Sequence, residues 1–273
     1  MVFCLPMRWP VLLALVWCGC TDADYAHTHF RCDDGLSCPP GFSCVAFRCQ
    51  PDSGGADGAI TDAGAGTDLA GPPVCGKASV LKDNFDDNMI HAIWTVDVGG
   101  NNVMVQAIGG QAQVTLPSGS PAHGTFVSAR RYDLTGSQFF IEMNQIVSTS
   151  THARVFVQAK GDDANLLRIW EEAGTLWFAH VQAGSPLMPS SIPYSISTHR
   201  WWQLREQGGV FYFETSDNGV MFTTQASIPT PSFAGAIVIE FGAEAYQPES
   251  SPGLVQFDNV NGGGAPPAGD CPP

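Results

Sequence analysis

The chain has 273 residues and a formal net charge of −14 at pH 7, because 26 acidic side chains outnumber 12 basic ones. Nucleic acids and anionic lipid headgroups are bound by clusters of Lys and Arg. The composition therefore argues against both as partners of the folded protein. Several carboxylates lie in a segment without a fold-forming pattern, and solubility is the simplest explanation of the acidity.

The first element is a short apolar leader. The apolar run 11–17 follows Arg8 and precedes Gly19-Cys20. The run is too short for a permanent transmembrane helix, which needs about 20 residues. A basic residue, an apolar core and a small residue at the cut are typical of a secretory signal. Because Cys20 follows Gly19, the leader resembles a bacterial lipoprotein signal in which residues 1–19 are removed and Cys20 is lipidated.

This resemblance implies an exported protein that Cys20 anchors to the lipid bilayer, on the periplasmic or surface side of the cell envelope. Trp17 occupies a position where such signals usually carry Leu, and Cys18 is a competing site. Secretion without lipid and an uncleaved anchor are the alternatives.

Six cysteines remain when those of the leader and Cys20 are set aside, and an even number in an exported chain predicts disulfide bonds. Four are clustered with the spacing C-x5-C-x5-C-x4-C. Zinc sites usually present paired C-x2-C ligands, so the spacing favours disulfides over zinc, with three pairings open within the cluster. The six are Cys32, Cys38, Cys44, Cys49, Cys75 and Cys271.

Three regions follow the leader. Residues 20–50 form a cysteine-rich segment that is too short for a core of its own, so disulfide bonds must hold it. It resembles the small knots of bacterial surface lipoproteins and short epidermal-growth-factor-like loops. Residues 51–74 are rich in Gly, Ala and Asp and predict a flexible spacer. Residues 75–273 are long enough for a sizeable core.

The pattern of residues 75–273 is that of an all-β protein. Helical signals are nearly absent, and short alternating runs separated by Gly, Pro, Ser and Asn are typical of a sandwich or barrel. Large apolar residues on both faces of several runs fit a sheet whose second face is partly covered or binds a partner. The clearest runs are Phe139–Asn144, Arg154–Gln158, Leu166–Glu171, Thr175–His180, Val210–Glu214, Ile237–Phe241 and Leu254–Asp258.

Turn signals lie between these runs. Asp162-Asp163 and Ala173-Gly174 fall where hairpin turns are needed. Asn218-Gly219 gives a stronger signal, because both residues tolerate positive φ and such pairs form two-residue hairpins. Residues 215–222 also resemble the Asp-box hairpin of sialidases. A sialidase propeller repeats that box several times and this chain has it once, so a simple hairpin turn is the better interpretation.

Three segments together resemble the concanavalin A-like lectin/glucanase superfamily, and especially the laminin-G-like jelly rolls of bacterial surface proteins. The resemblance covers about residues 79–262 and implies an antiparallel two-sheet jelly-roll sandwich whose first strand pairs beside its last. It says little about function, because this fold hosts lectins, hydrolases and adhesion modules. The segments are K-D-N-F-D-D-N at 82–88, H-R-W-W-Q-L-R-E at 199–206 running into F-E-T-S-D-N-G at 213–219, and V-Q-F-D-N-V at 255–260.

Cys75 and Cys271 flank this domain, and the resemblance implies that the two ends of the domain lie close together. We therefore expect a Cys75–Cys271 disulfide, and pairing of the other four cysteines among themselves. A bond that closes so long a loop has a nominal value of ~5 kcal/mol by chain entropy.

Catalysis is not favoured by the sequence. A glycosidase needs two carboxylates facing one cleft, and glucanases of this superfamily carry an E-x-D-x-x-E signature. The nearest match, Glu142–Gln145, has amides where the later carboxylates should be. Glu171-Glu172 are adjacent, so on a strand they face opposite sides. Glu240 and Glu244 can share a face unless Gly242 bulges the strand.

Binding through aromatic side chains is better supported. Sugars dock on exposed aromatic faces flanked by polar groups, although a Trp on a strand is more often part of the core. Trp94 and Trp201 are expected to be core residues. The candidate ligand-binding residues are Trp170, Trp177, Trp202 and Tyr246.

Asp83 near the first strand and Asp258 on the last are a candidate structural calcium site. Calcium takes six to eight oxygen ligands, partly from the backbone. Capping of turns is the alternative role for these two carboxylates.

The sequence thus predicts a lipid-anchored envelope module that recognises a glycan or a surface protein without catalysis. The alternatives are a glycoside hydrolase of the same superfamily and a purely structural envelope protein.

Lipidation can be tested directly. Expression in a bacterium supplied with labelled palmitate is expected to label the protein, and Cys20→Ser is expected to abolish the label. Label that persists in the Cys20→Ser variant would exclude Cys20 as the attachment site.

Overall fold

The computed structural model describes residues 42–45, 48–51, 74–147, 152–266 and 271. The chain divides into two compact units, residues 1–66 and residues 67–273. Within the described residues, no helix has the length and hydropathy needed to cross a membrane.

The first unit contains one antiparallel hairpin, formed by β1 (Phe42–Val45) and β2 (Arg48–Pro51). Cys44 and Cys49 lie directly opposite each other in its register. Cys20, Cys32 and Cys38 lie outside the described residues, so lipidation and the pairing within the cysteine-rich segment stay predictions.

The second unit consists of strands joined mostly by short turns, with short 3-10 segments at Ala78–Val80 and Ser232–Gly235. The strands are β3 (Val74–Lys77), β4 (Trp94–Gly99), β5 (Met104–Ile108), β6 (Gln111–Leu116), β7 (Ala122–Ser128), β8 (Arg131–Asp133), β9 (Gln138–Gln145), β10 (Ala153–Asp162), β11 (Asn165–Glu172), β12 (Thr175–Gln182), β13 (Ser185–Pro193), β14 (Trp201–Gln207), β15 (Val210–Ser216), β16 (Thr223–Pro229), β17 (Val238–Ala245) and β18 (Gly253–Asp258).

Two antiparallel sheets of seven strands each form a sandwich, as the sequence predicts. Sheet I has the order β13-β12-β11-β10-β17-β7-β4, and sheet II has the order β16-β15-β14-β9-β18-β6-β5. A short parallel pair, β3 and β8, lies outside the two large sheets. Neighbours in space are often far apart in sequence, because β17 is inserted between β10 and β7 and β18 between β9 and β6.

Alternation along each strand builds the core. Val155 and Val157 of β10 are fully buried between the sheets, whereas Arg154, which precedes Val155, faces outward. At the centre, the ring of Phe241 meets the ring of Trp94 edge-on at a centroid distance of 5.1 Å. Phe241 also contacts Phe257 of sheet II, at 5.0 Å between ring centroids. Aromatic contacts therefore join the two sheets.

Two of the three predicted turns have the predicted form. β10 and β11 are joined by a tight turn in which Asp162 Oδ1 accepts the Ala164 amide hydrogen at 2.8 Å. β11 and β12 are joined by Ala173 and Gly174, with φ angles of 52° and 79°. Positive φ at both residues is the geometry of a type I′ hairpin, whose twist matches that of the flanking strands.

The Asn218-Gly219 prediction was wrong in its geometry. The two residues do lie in a hairpin connection, but it runs from 217 to 222 between β15 and β16. Ser216 Oγ accepts the amide hydrogens of Asn218 and Gly219 at 3.1 and 3.0 Å. A Cβ on Gly219 would lie 2.7 Å from the Trp201 ring, so this glycine permits close packing on a tryptophan as well as a positive φ.

The opening D-N-F motif closes the sandwich near its last strand. Asp83 forms a bridge to Val260, and both of its carboxylate oxygens are engaged within the protein. One oxygen accepts the Phe85 amide hydrogen at 2.9 Å and the other accepts the Trp94 indole hydrogen at 3.0 Å. Phe85 is fully buried with a φ of 53°, so the Asp83 carboxylate holds a strained residue in the core.

The predicted Cys75–Cys271 disulfide is present, with 5.2 Å between the two Cα atoms. It joins positions 196 residues apart in the sequence. The two ends of the domain are therefore close in space, as pairing of its first and last segments requires.

Asp83→Ala is expected to lower the free energy of unfolding by about 3 kcal/mol, because it leaves two buried N–H groups without an acceptor. Urea denaturation of Asp83→Ala and of Asp217→Ala, an exposed aspartate, measures the difference. The control should change stability by less than about 0.5 kcal/mol. Equal effects of the two substitutions would contradict the role assigned to Asp83.

Candidate functional site

A row of aromatic side chains crosses the outer face of sheet I. Trp177, Trp170 and Phe156 are direct cross-strand partners on β12, β11 and β10. The two indole rings are nearly parallel, with an angle of 11° and a centroid distance of 5.8 Å. Gly242 of β17 continues the row beside Phe156. The row of large rings therefore ends at Gly242, which has no side chain, so the height of the surface differs between the strands.

Charged side chains border this aromatic row on both sides. Arg168, Gln158 and Glu240 are cross-strand neighbours on one side. Glu172, Arg154 and Glu244 are the corresponding neighbours on the other side.

Arg168 connects the two borders. Its guanidinium carbon lies 4.2 Å from the centroid of the Phe156 ring, a cation–π distance. One Nη of Arg168 donates to Glu244 Oε1 at 2.6 Å, and Arg154 Nε donates to the same oxygen at 2.7 Å. Burial alone would raise the pKa of Glu244, but the charges of Arg168 and Arg154 hold it below its usual value. Glu244 is thus an ionised structural partner of two arginines.

On the opposite border, a basic side chain likewise compensates the charge of Glu240. Lys160 Nζ lies 3.0 Å from Glu240 Oε1 and 2.9 Å from Asp163 Oδ1. The Gln158 side-chain amide donates to the other oxygen of Glu240. The face consequently presents polar groups whose charges compensate one another.

A shallow pocket of about 430 Å³ lies at the Trp170–Trp177 end of the row. Tyr246 stands at the same end, where its hydroxyl donates a hydrogen bond to Glu172 and this bond raises the pKa of Tyr246 to about 12. The pocket is lined by Trp170, Glu172, Ala173, Thr175, Trp177 and Pro186.

Among the described residues, three buried polar atoms of this face have no hydrogen-bond partner: Gln158 Oε1, Arg168 Nε and Trp170 Nε1. Most buried polar atoms in folded proteins are hydrogen-bonded. One acceptor and two donors that lack a protein partner therefore lie buried beside the aromatic row.

The structure brings together three of the four predicted ligand-binding residues. Trp170 and Trp177 stack on the outer face of sheet I, and Tyr246 is linked to the same pocket through its hydrogen bond to Glu172. Trp202 does not belong with them, because it is fully buried in the core, where its indole donates to the His199 carbonyl at 2.8 Å. Trp201 was expected in the core and instead lies half-buried on the outside of sheet II.

The predicted pair of calcium ligands is not supported by the geometry. Both oxygens of Asp83 are used by protein N–H groups, as described above. Asp258 lies on the outer face of sheet II, where burial and then the charges of Glu142 and Asp86 raise its pKa to about 6. In the part of the chain that the structure describes, no group of three or more His, Cys, Asp or Glu side chains could hold a metal ion.

Glu240 and Glu244 lie on the same face of one strand. β17 keeps continuous register with β10 and β7, so Gly242 does not bulge the strand and Glu240 and Glu244 share a face. Four residues along a strand separate their Cα atoms by about 13 Å, and the carboxylate of each is paired with a basic side chain. Glu171 and Glu172 face opposite sides, as predicted.

Several residues of this face were not identified from the sequence, above all Arg154, Phe156, Gln158 and Arg168. Arg154 and Gln158 alternate with buried valines on β10, and this alternation was the available signal. The alternation shows that a side chain points out of the core, but it does not show which strand pairs with that position.

No family model and no curated protein matches the chain. Solved structures to which it is similar include proteins described as a β-glucanase, an endo-glucanase and a legume lectin-like domain. A Mycobacterium abscessus protein described as a β-glucanase has a TM-score of 0.50 at 11% identity, covering 66% of this chain and 98% of that one.

Two further structures have lower scores. A glycoside hydrolase family 16 endo-glucanase from Bacteroides ovatus has a TM-score of 0.48 at 10% identity, covering 67% of this chain and 98% of its own. A legume lectin-like domain from Entamoeba histolytica has a TM-score of 0.44 at 11% identity, covering 66% and 94%. At these identities the similarity concerns the fold alone.

Glu244→Gln is expected to lower the free energy of unfolding by about 3 kcal/mol at pH 7, because it removes the counter-charge of the buried Arg168. Since the folded-state pKa of Glu244 is lowered, its stabilisation is present above the unfolded pKa and is lost as pH falls through the folded value. Denaturation at pH 7 and pH 3 tests this. Asp163→Asn, at an exposed ion pair, is the control and should change stability by less than about 1 kcal/mol.

Proposed function

We propose that this protein is a non-catalytic carbohydrate-binding module and that it holds a glycan on the outer face of sheet I. The main observation in support is the Trp170–Trp177 pocket, which lies beside three buried polar atoms that have no hydrogen-bond partner among the described residues. Sugar rings combine apolar C–H faces with hydroxyl groups that both donate and accept hydrogen bonds. A pocket whose aromatic rings lie beside polar side chains matches that chemistry.

The charges of the face support binding of this kind over catalysis. Glu240 and Glu244 are each engaged with basic side chains. A general acid would need a raised pKa at the scissile bond, whereas the pKa of Glu244 is lowered. These carboxylates therefore act in our proposal as supports that position Arg154, Arg168 and Gln158.

The proposed location follows from the leader alone. Cys20 would anchor the protein to a membrane of the cell envelope, and residues 51–74 would separate the sandwich from the bilayer. A protein partner at the surface remains the alternative ligand.

A glycan array probed with the purified protein, followed by calorimetry on the best ligand, tests the proposal. Trp177→Ala is expected to weaken binding by about fivefold or more, since an aromatic contact contributes about 1 kcal/mol or more. Trp201→Ala is the matched control, because Trp201 is also half-buried on an outer face but belongs to sheet II.

Unchanged binding by Trp201→Ala, with both variants folded, would support the proposed face. Equal losses in both variants would place the site elsewhere. If the wild-type protein binds no glycan, the carbohydrate proposal fails.

A further inference from the structure

Two hairpins, one in each sheet, are fastened by the same arrangement of hydrogen bonds. In sheet I, Glu171 Oε1 accepts the Gly174 amide hydrogen at 2.7 Å, and the Gly174 carbonyl accepts the Tyr194 amide hydrogen at 2.9 Å. In sheet II, Glu206 Oε1 accepts the Gly209 amide hydrogen at 2.7 Å. The Gly209 carbonyl then accepts the Thr230 amide hydrogen at 3.0 Å. Each clamp thus ties a glutamate, a turn glycine and the residue after the third strand.

The two clamps differ in how well the glutamate is hydrogen-bonded. Glu206 also accepts hydrogen bonds from the Gly136 amide and from Thr230 Oγ1, the latter at 3.0 Å. The Gly136 hydrogen bond is the main reason that the pKa of Glu206 is lowered. The carboxylate of this clamp is ionised and saturated with donors.

Glu171 has the opposite surroundings. It is fully buried, and its Oε2 has no hydrogen-bond partner. Tyr194 occupies the place of Thr230, but its hydroxyl is also buried without a partner. Where the sheet II clamp has a hydroxyl that donates to the carboxylate, the sheet I clamp has two polar groups left unpaired.

The groups around Glu171 do not supply a counter-charge. Tyr194 faces it from the segment after β13, and the ring of Tyr194 in turn packs against His199 and Trp202 at centroid distances of 6.1 Å each. Burial lowers the pKa of His199, which favours its neutral form. Glu172, next along β11, adds a negative charge. Burial is the main cause that raises the pKa of Glu171 to about 7.

We propose that Glu171 is a pH-sensitive switch, which fastens the tip of the β11–β12 hairpin while its carboxyl is protonated and releases it on ionisation. The ionised carboxylate requires water, and the adjacent turn at Ala173-Gly174 is where the chain can open to admit it. The proton passes to solvent, and the Gly174 and Tyr194 hydrogen bonds break with the opening. Glu172, Ala173 and Thr175 of this tip line the Trp170–Trp177 pocket.

The direction of the pH effect follows from the two states. The open tip has a Glu171 near its ordinary pKa of 4.5, and the closed tip has one near 7. The closed form therefore loses stability as pH rises from about 4.5 to about 7 and loses no more above that. On the same figures, opening becomes more frequent by on the order of 50-fold between pH 5 and pH 8.

Hydrogen exchange of single amides in the purified protein, followed by NMR and corrected for intrinsic base catalysis, tests the switch. Protection of the Gly174 and Tyr194 amides is expected to fall by on the order of 50-fold between pH 5 and pH 8. The Gly209 and Thr230 amides are the internal control and should keep their protection. Equal pH responses at the two hairpins would overturn the proposal.

Two variants complete the test. Glu171→Gln keeps an acceptor for Gly174 but cannot ionise, so the pH response should disappear. Tyr194→Phe removes the second unpaired group but keeps the titrating carboxyl, so the response should persist. A pH response that survives in Glu171→Gln would exclude Glu171 as the switch.

The effect on ligand binding rests on the proposed function, whereas the exchange experiment needs no ligand. If a glycan binds the pocket, its affinity should fall from pH 5 to pH 8 in the wild-type protein and stay level in Glu171→Gln. Failure to find a glycan would remove this arm and leave the exchange result as an independent test.

Discussion

A strand that buries every second side chain must turn the others outward. This constraint determines which residues of the candidate site lie on the outer face of sheet I. On β10 and β11 the inward positions carry Val155, Val157 and Ile169, which are fully buried. The outward positions carry Arg154, Phe156 and Trp170. Because strands pair in fixed register, outward residues of neighbouring strands form rows across the sheet. The aromatic row and its charged borders are the direct result.

Alternation also explains how much could be predicted from the sequence. It identified the all-β fold and the opposite directions of Glu171 and Glu172, whereas the choice of a two-sheet sandwich came from the resemblance to the concanavalin A-like superfamily. It did not fix the phase of a strand with large residues at adjacent positions, so Trp201 and Trp202 were assigned to the wrong sides. The Asn218-Gly219 turn was misjudged because Ser216 and Trp201, which shape it, act through side-chain contacts that a turn pattern does not contain.

The polar residues of the site could not be predicted from the sequence, and the reason is the topology of the sheet. Arg168 and Glu244 are separated by 76 positions in the chain, and β17 reaches β10 only through the crossover of the sandwich. Their ion pair fixes Arg168 over Phe156 and leaves Arg168 Nε without a partner. The same topology gives Asp83 a structural role, because its two oxygens accept the Phe85 and Trp94 hydrogens.

If the outer face of sheet I is the binding surface, as we propose, the indole N–H resonances of the tryptophans report ligand binding there. The indole of Trp170 has no hydrogen-bond partner and that of Trp202 is bonded within the core. In an NMR titration with an oligosaccharide that binds the protein, we expect the Trp170 indole resonance to shift and the Trp201 and Trp202 indole resonances to stay in place. A shift of the Trp201 resonance with Trp170 unmoved would contradict it and assign the surface to sheet II.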